Sequence, residues 1–472
     1  MVDHLVENSV ESALTTIAAI ATPIGRGGVG VIRLSGKAAY DIAQALTKSP
    51  TGEKLHTFCP RQARFCRFYA DDGSVIDEGL VLYFAAPHSF TGEDVIELQG
   101  HGGVVLQQQL LLRVFALGAT QATAGEFSAR AFANDKLDLV QAEAIADAID
   151  ATSVAAAKSA MRSLTGEFSS RINDLLHQLI HLRLHVEAAI DFPDEEDVDF
   201  LADGQIAEQL ATLQTQLNAV LASSQQGQLL RDGVAAVIAG RPNAGKSSLL
   251  NRLAGQERAI VTDVAGTTRD TLQETVIIDG LKLNLTDTAG LRDTTDHVEQ
   301  IGIVRAQNAI AQADIVLLVY DISQTADPLA LAHELLGELP SSKRLLLIGN
   351  KADLLHADQH AALEAYDWQG YAHVTVSCVT GSGLEQLNQT LRAMVGFHPV
   401  EGTWLARARH LDALRRVQTA LVEADTQLHT FHAGELVAES LRQAQQYLGE
   451  ITGEFSADDL LGQIFGSFCI GK

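Results

Sequence analysis

One glycine-rich loop constrains the fold of this chain more than any other feature. The apolar run AAVIAG at 235–240 leads into the pattern G-x-x-x-x-G-K-S, which spans Gly240 to Ser247, and SLLNRLAG continues as a helical pattern. In such a strand, loop and helix, the glycines let backbone N–H groups turn inward around phosphates, and Lys246 neutralises phosphate oxygens. The hydroxyl of Ser247 is a suitable Mg²⁺ ligand. The loop therefore predicts an α/β domain that binds a nucleotide.

Two polar motifs follow in the order that a nucleotide-dependent switch requires. GTTR at 266–269 places Thr268 where it can close over a γ-phosphate and ligate Mg²⁺. DTAG at 287–290 follows the strand-like run LKLNLT, so Asp287 can hold the metal through water and the Gly290 amide can sense the γ-phosphate. Hydrolysis would release both loops, which is an order-to-disorder switch.

The motif NKAD at 350–353, after the apolar run RLLLIG, predicts the choice of base. The Asp353 carboxylate can accept hydrogen bonds from the N1–H and 2-amino groups of guanine, whereas adenine offers no such pair of donors. Ser377 and Cys378 end the run YAHVTVSC, where a last loop supports the base. The predicted GTP site comprises Asn243, Ala244, Gly245, Lys246, Ser247, Ser248, Thr262, Thr267, Thr268, Asp287, Thr288, Ala289, Gly290, Asn350, Lys351, Asp353, Ser377 and Cys378.

The catalytic groups for hydrolysis are less evident than the binding groups. Many signalling GTPases carry a glutamine just after the D-x-x-G turn to orient the attacking water, but Leu291 stands here. Glu299 is a candidate for holding that water, although an exposed helical glutamate explains it equally well. The sequence shows no obvious arginine finger in the chain itself, so a cation can supply the missing charge, with Asn243 and carbonyls of residues 262–267 as oxygen ligands.

The length and patterning predict several domains, because 472 residues exceed what one hydrophobic core accommodates. Short β-like runs with Gly and Pro punctuation predict an α+β domain, whereas leucine stripes before and after the nucleotide motifs predict helices. The predicted fold is therefore multidomain: an α+β N-terminal domain at 1–134, an all-α helical domain in two parts at 135–231 and 397–472, and an α/β P-loop GTPase domain inserted at 232–396.

Charge and cysteine usage limit the partners and the compartment. Lys and Arg total 34 against 59 Asp and Glu, and a net charge of -25 repels phosphate backbones, so any nucleic acid must be met locally or through a partner. The four cysteines form no C-x-x-C pair, which argues against a disulfide framework or a structural zinc site. We find neither a leader pattern nor a long apolar run, so we expect a cytoplasmic protein without a membrane span.

Over nearly its full length the chain resembles the MnmE (TrmE) family of tRNA modification GTPases. The resemblance rests on GRPNAGKSSLLN, AIVTDVAGTTRD, DTAGLR and NKAD, on TPIGRGGVGVIRLSG, SFTGEDVIELQGHGG and NDKLDLVQAEAI, and on the ending FCIGK. It implies that K⁺ replaces the arginine finger and that Glu299 is the catalytic glutamate. The implied K⁺ ligands are Asn243, Thr262, Val264 and Thr267.

The N-terminal domain contains GRGGVG at 25–30, which spells G-x-G-x-x-G. The following run VIRLSG predicts a strand and not a phosphate-facing helix, so a dinucleotide fold fails and a glycine-rich turn is favoured. The resemblance implies a 5-formyl-tetrahydrofolate site instead, with Arg33, Glu97, Lys136 and Lys472. A pterin presents the same 2-amino and ring N–H edge as guanine, which suits Glu97, and the basic residues suit the carboxylates of the folate tail.

The resemblance also implies a reaction and partners. The family adds an aminomethyl-type or carboxymethylaminomethyl-type group to C5 of the wobble uridine, U34, as a homodimer that forms a heterotetramer with MnmG. MnmG is a flavin protein that carries FAD and contacts most of the tRNA. The C-x-G-K ending makes Cys469 a candidate near the one-carbon unit, although a thiol on a mobile-looking terminal tail is ordinarily unremarkable.

The sequence argues against two other functions. An Era-like or Der-like regulatory GTPase in ribosome assembly would bring a basic RNA-binding module, which this sequence lacks. A folate-binding scaffold with a silent GTPase domain conflicts with the intact set Lys246, Ser247, Thr268 and Asp287.

Overall fold

The structure is a computed structural model that describes residues 15–53, 57–191, 204–254, 273–287, 308–398, 402–454 and 458–471. The chain divides into two compact units, Met1–Ala146 with Gln445–Lys472, and Asp147–Ala444. The expected domain boundaries after residues 134, 231 and 396 stay predictions. No helix in the described part is long and apolar enough to cross a membrane.

The first unit is built on a seven-stranded sheet with the order β3-β4-β5-β6-β2-β1-β7. Its strands β1 to β7 are Ile17–Ile20, Gly27–Ser35, Thr47–Lys48, Arg64–Tyr69, Val75–Phe84, Val95–Gly102 and Thr120–Gln121. All neighbouring strands pair antiparallel except β1 and β7. VIRLSG lies in strand β2, as the sequence predicts, but Gly27–Gly30 already belong to that strand, because β2 begins at Gly27 and pairs there with β6. The predicted glycine-rich turn at 25–30 is therefore wrong for these four residues and holds only for the residues before Gly27.

Two helices of this unit pack on one face of the sheet. They are α1, Ala39–Leu46, and α2, Val104–Ala116. Leu34, Phe68 and Leu98 of the sheet and Val114 of α2 are fully buried in one cluster. Period-2 alternation on the strands places these side chains on a common face, and their burial supplies most of the stabilisation. The unit is an α+β domain, as expected.

The end of the chain belongs to the same unit. The first unit also contains α3, Glu126–Ala133, and the last described helix, α14, Asp458–Gly466. Phe465 and Phe468 pack with Leu139 in a small apolar cluster, and Ile470 forms a β-bridge with Ala124. A Cβ atom on Gly471, which has φ +96°, would lie 2.5 Å from the carbonyl oxygen of Ile20, so the tail approaches β1 closely.

The second unit contains the helices that the leucine stripes predict. They are α5, Val154–Leu164, α6, Glu167–Asp191, α7, Gln205–Asp232, and α12, Ala408–Thr426. The residues of α4, Leu139–Asp150, and of α13, Gly434–Thr452, are divided between the two units. Leu175 and Leu179 of α6 and Leu210 and Leu217 of α7 are buried. Helical spacing of three and four residues brings such side chains to one stripe.

A six-stranded sheet is inserted between α7 and α12, in the order β13-β12-β11-β8-β10-β9. Strands β8 to β13 are Val234–Ala239, Gln273–Ile278, Leu281–Asp287, Ile315–Asp321, Leu345–Asn350 and Ala372–Thr375. Only β9 and β10 pair antiparallel. The accompanying helices are α8, Lys246–Ala254, α9, Pro328–Leu336, α10, Ala357–Glu364, and α11, Leu384–Met394. The parallel strands bring the loops after β8, β12 and β13 to one edge of the sheet.

Candidate functional site

The loop between β8 and α8 has the backbone geometry of a phosphate cradle. Gly240, Asn243 and Gly245 have φ values of +151°, +62° and +95°. A Cβ atom on Gly240 would lie 2.1 Å from the carbonyl oxygen of Val319, and one on Gly245 would lie 2.1 Å from Nδ2 of Asn350. Both glycines are therefore required by close contacts as well as by backbone conformation.

Lys246 is the positive centre of this loop. It begins α8 and is only 8% exposed, and its Nζ donates to the carbonyl oxygens of Gly240 at 2.9 Å and Arg241 at 3.1 Å. The ammonium group is thus held inside the loop, at the N-terminal end of a helix whose free N–H groups favour an anion. A buried ammonium group beside the free N–H groups of a helix N-terminus is an arrangement that suits a bound phosphate.

Asn350, the first residue of the NKAD motif, joins the phosphate loop to the loop after β13, residues 377–382, which we call the base loop. Its side chain is buried, Nδ2 donates to the carbonyl oxygen of Ala244 at 3.0 Å, and Oδ1 accepts from the backbone N–H of Cys378 at 3.2 Å. Ser377 Oγ donates to Oδ1 of Asp353 at 2.5 Å. The carboxylate that is predicted to choose the base is therefore oriented by the loop after β13.

Lys351, the second residue of the NKAD motif, connects the motif to the neighbouring strand β11. It has φ +67°, and its Nζ lies 2.7 Å from Oδ2 of Asp321 at the end of β11. Burial alone would raise the pKa of Asp321, but hydrogen bonds from Lys351 and Ser323 lower it below its ordinary value. An ionised Asp321 therefore fixes the position of the Lys351 ammonium group at the end of β11.

These loops enclose one cavity of about 510 Å³, a volume typical of ligand pockets. The cavity is lined by Asn243, Gly245, Lys246, Ser247, Ser248, Asn350, Lys351, Asp353, Leu354, Cys378 and Val379. The phosphate loop and the base motif, which the sequence predicts separately, thus share one pocket. Leu354 and Val379 were not predicted, although each directly follows a predicted residue. Burial raises the pKa of the Cys378 thiol, which therefore lies neutral in this pocket.

Several predicted site residues lie outside the described part of the chain. They are Thr262, Val264, Thr267, Thr268, Thr288, Ala289, Gly290, Glu299 and Lys472. The backbone of Asp287 ends β10, where it pairs with Ile238 of β8, two residues before the phosphate loop begins. The roles of the switch loops, of Glu299 and of the K⁺ ligand set stay predictions.

In the first unit, Arg33 and Glu97 face each other on adjacent strands. They are direct partners in the register of β2 and β6, and Nε and Nη2 of Arg33 donate to Oε1 of Glu97 at 3.1 and 2.9 Å. The Arg33 guanidinium also lies 5.5 Å from the ring centre of Phe90 and 5.9 Å from that of Phe127. Sequence reasoning missed both aromatic rings, because they are distant from Arg33 in sequence.

Lys136 and Cys469 lie close in structure to the two segments that carry Phe90 and Phe127. Asn134 Nδ2 donates to the carbonyl oxygen of Thr91 at 2.7 Å, and a Cβ atom on Gly92 would lie 3.4 Å from the Lys136 side chain. Lys136 is therefore next to the segment that carries Phe90. Cys469 is exposed, and its carbonyl oxygen accepts from the Gly125 N–H at 3.4 Å, two residues before Phe127. The terminal segment thus lies beside this candidate site.

The fold and the nucleotide pocket define a P-loop GTPase domain inserted in a helical domain, with an α+β domain at the N-terminus. The family model described as "GTP-binding protein TrmE N-terminus" matches residues 16–136, and the one described as "MnmE helical domain" matches residues 139–469. The chain belongs to the MnmE family and is a GTP hydrolase. The expected resemblance and fold class are confirmed.

Similar curated proteins agree over almost the whole chain. The tRNA modification GTPase MnmE of Psychrobacter arcticus is 68% identical over 476 residues, which cover 99% of this chain and 98% of that protein. The MnmE of Psychrobacter cryohalolentis is 69% identical over 470 residues, with 98% and 97% covered. The MnmE of Acinetobacter baumannii is 63% identical over 458 residues, with 97% and 98% covered.

Proposed function

We propose that this chain uses GTP hydrolysis in the cytoplasm to drive modification of C5 of the wobble uridine, U34, in tRNA. The group added is of the aminomethyl or carboxymethylaminomethyl type. One observation carries the proposal: the chain matches proteins named tRNA modification GTPase from end to end, at up to 69% identity, and not only in its nucleotide domain. The separate α+β unit with its Arg33–Glu97 pair gives such a chain a second place for chemistry.

The nucleotide in this proposal is GTP, and the pocket residues have distinct tasks. Lys246 neutralises the β- and γ-phosphates, while Asp353 accepts from the guanine edge in the orientation that Ser377 supports. An ATP molecule would leave the Asp353 carboxylate without its two donors, which disfavours adenine. Ser247 lines the same pocket directly after Lys246, so its hydroxyl suits Mg²⁺.

Potassium is the proposed activator of hydrolysis. Asn243 lines the pocket beside Lys246 in a left-handed backbone conformation, and its amide oxygen is a hard donor of the kind that alkali cations prefer. When bound, Mg²⁺ and K⁺ would supply positive charge to the phosphates that an arginine finger supplies in other GTPases. Thr262, Val264 and Thr267 complete the proposed ligand set, and Glu299 is the proposed holder of the attacking water.

A tetrahydrofolate is the proposed ligand of the first unit, with 5-formyl-tetrahydrofolate as the form expected. Both hydrogen bonds from Arg33 use Oε1 of Glu97, so Oε2 can accept from the 2-amino and ring N–H edge of a pterin. Lys136 and Lys472 are proposed to meet the carboxylates of the folate tail. Bound folate would supply the one-carbon unit, and Cys469 is proposed to act near it.

The partners proposed are a second copy of this chain and MnmG, in a heterotetramer. The net charge of -25 makes the chain a poor primary binder of tRNA, because its field repels the phosphate backbone. A partner that carries FAD and most of the tRNA-binding surface would remove this difficulty.

Nucleoside analysis of tRNA from cells that lack this gene tests the proposal. We expect loss of the C5-modified nucleoside at position 34 and its return with the wild-type gene, but not with a Lys246→Ala variant. Normal wobble nucleosides together with a defect in ribosome assembly would refute the proposal and favour an Era-like or Der-like regulator.

A further inference from the structure

One exposed arginine, Arg252, links the phosphate-binding helix to the loop that supports the base. It lies in the last turn of α8, whose first residue is Lys246. Its Nε donates to the carbonyl oxygen of Cys378 at 2.9 Å, and its Nη2 donates to that of Val379 at 3.0 Å. These contacts join positions that are 126 and 127 residues apart in sequence. The planar guanidinium therefore spans two successive carbonyls as a fork.

Two carbonyl oxygens of the base loop accept hydrogen bonds from outside the loop. Within the loop, the Ser377 N–H donates to the Ser382 carbonyl oxygen at 2.9 Å, and the Gly381 N–H donates to the Ser377 carbonyl oxygen at 2.8 Å. The Thr380 N–H donates to Ser377 Oγ at 3.1 Å. The carbonyl oxygens of Cys378 and Val379 accept instead from Arg252. Arg252 thus links the base loop to α8 by two hydrogen bonds.

The Cys378 peptide is consequently held on both sides. Asn350 Oδ1 accepts from its N–H at 3.2 Å, while Arg252 donates to its carbonyl oxygen. Ser377, the preceding residue, donates to the Asp353 carboxylate. A displacement of the loop would therefore move Ser377 and disturb the group that reads the guanine edge.

We infer that Arg252 is a positioning residue for guanine recognition, which acts through the Cys378 and Val379 carbonyls and touches neither nucleotide nor metal. One helix, α8, then contacts the phosphates at its first turn and fixes the base loop at its last. The inference rests on the proposed guanine nucleotide site. It adds a residue that determines how tightly and how selectively that site holds its base.

The test compares three variants of the full-length chain with the wild type, in Mg²⁺ and K⁺ buffer. Arg252→Ala removes both donors, and Arg252→Lys keeps a cation that can reach one carbonyl but not both. Arg392→Ala is the matched control, since Arg392 is an arginine of α11 in the same domain and pairs with Asp279 at 3.5 Å. The measurements are Kd for GDP and for inosine diphosphate, and kcat and KM for GTP.

We expect Arg252→Ala to raise Kd for GDP by about tenfold, the effect of losing one or two partly exposed hydrogen bonds to a charged group. The loss for inosine diphosphate should be smaller, because its base lacks the 2-amino group that Asp353 reads. KM for GTP should rise while kcat stays unchanged, Arg252→Lys should be intermediate, and Arg392→Ala should match the wild type.

Two results would overturn the inference without refuting the GTP site. One is an unchanged Kd for GDP in Arg252→Ala. The other is an equal fold loss of affinity for GDP and for inosine diphosphate, which a merely structural role would produce. If the wild-type chain itself bound no GDP, the proposed site would fail first, and the role of Arg252 with it. The wild-type titration therefore separates the two failures.

Discussion

Asn350 and Ala244 are joined by a hydrogen bond from the Nδ2 atom of Asn350 to the carbonyl oxygen of Ala244, over 3.0 Å and across 106 residues of sequence. The bond ties the end of β12 to the turn of the phosphate loop. Since the same amide accepts from Cys378, one side chain sets the distance between the two ends of the nucleotide pocket.

Replacing Asn350 with Ala should therefore lower stability and nucleotide affinity together. It leaves a carbonyl and an N–H without their partner, and the loss of such buried bonds costs about 1–3 kcal/mol. Urea unfolding with and without GDP measures both effects. Asn218→Ala, at an exposed pair with Gln418, is the control. Unaltered stability of the Asn350 variant would show that the amide does not couple the loops.

Replacing Asp353 with Asn should shift the base preference from guanine to xanthine. An amide nitrogen can donate to the 2-oxo group of xanthine, whereas the carboxylate accepts from the 2-amino group of guanine. Competition between GTP and xanthosine triphosphate for the pocket measures the change. GTP binding as tight as in the wild type would place the base contact elsewhere.

Hydrolysis should be markedly faster in potassium than in sodium buffers of equal ionic strength. Sodium is the smaller ion and would fit the proposed oxygen cage poorly, so it would stabilise the developing phosphate charge less. Phosphate release at saturating GTP and constant Mg²⁺ is the measurement, and Asn243→Ala should reduce the difference. Equal rates with the two salts would remove the argument for a cation in place of an arginine finger.

Glu97→Gln should weaken binding of 5-formyl-tetrahydrofolate by about tenfold or more, because a neutral amide accepts more weakly from the pterin edge and leaves Arg33 without its ion pair. Titration calorimetry on the full-length chain provides the affinity. Glu78→Gln, at the exposed pair with Arg67 on the same sheet, is a matched control that should bind like the wild type. Equal affinities in all three proteins would exclude Glu97 from a folate site.

The stability of the chain should fall as the pH drops below about 6.5, partly through His373. Burial lowers the pKa of His373 from 6.5 to about 4, and its Nε2 lies 2.9 Å from the Tyr320 hydroxyl while its ring stacks on Trp368. A folded-state pKa below the unfolded value means that the neutral form stabilises the fold. This contribution is complete above pH 6.5 and is lost as the pH falls towards 4, by up to about 3 kcal/mol.

The check is urea unfolding of wild type and His373→Gln at about pH 7.5 and pH 5. A glutamine carbonyl can accept from Tyr320 but does not titrate, so the variant should lose less stability between the two values. The same loss in both proteins would assign the acid sensitivity to other groups.

The local motifs could be read from the sequence because each one is a short stretch whose spacing has a direct physical meaning. The phosphate loop from Gly240 to Ser247 needs its glycines and its lysine in one turn, and the structure builds that turn between β8 and α8. Leucine repeats likewise predicted α6 and α7, since helical periodicity is a local property. The order of the four GTPase motifs indicated the chemistry before any contact was known.

Tertiary structure alone decided which distant side chains meet. The pairing of Arg33 with Glu97 follows from the antiparallel register of β2 and β6, and the contact of Arg252 with Cys378 follows from packing of α8 beside the base loop. No spacing in the sequence encodes either contact, because register and packing depend on the whole set of buried surfaces. The sequence thus determined which chemical groups this protein possesses, and the fold determined which of them act together.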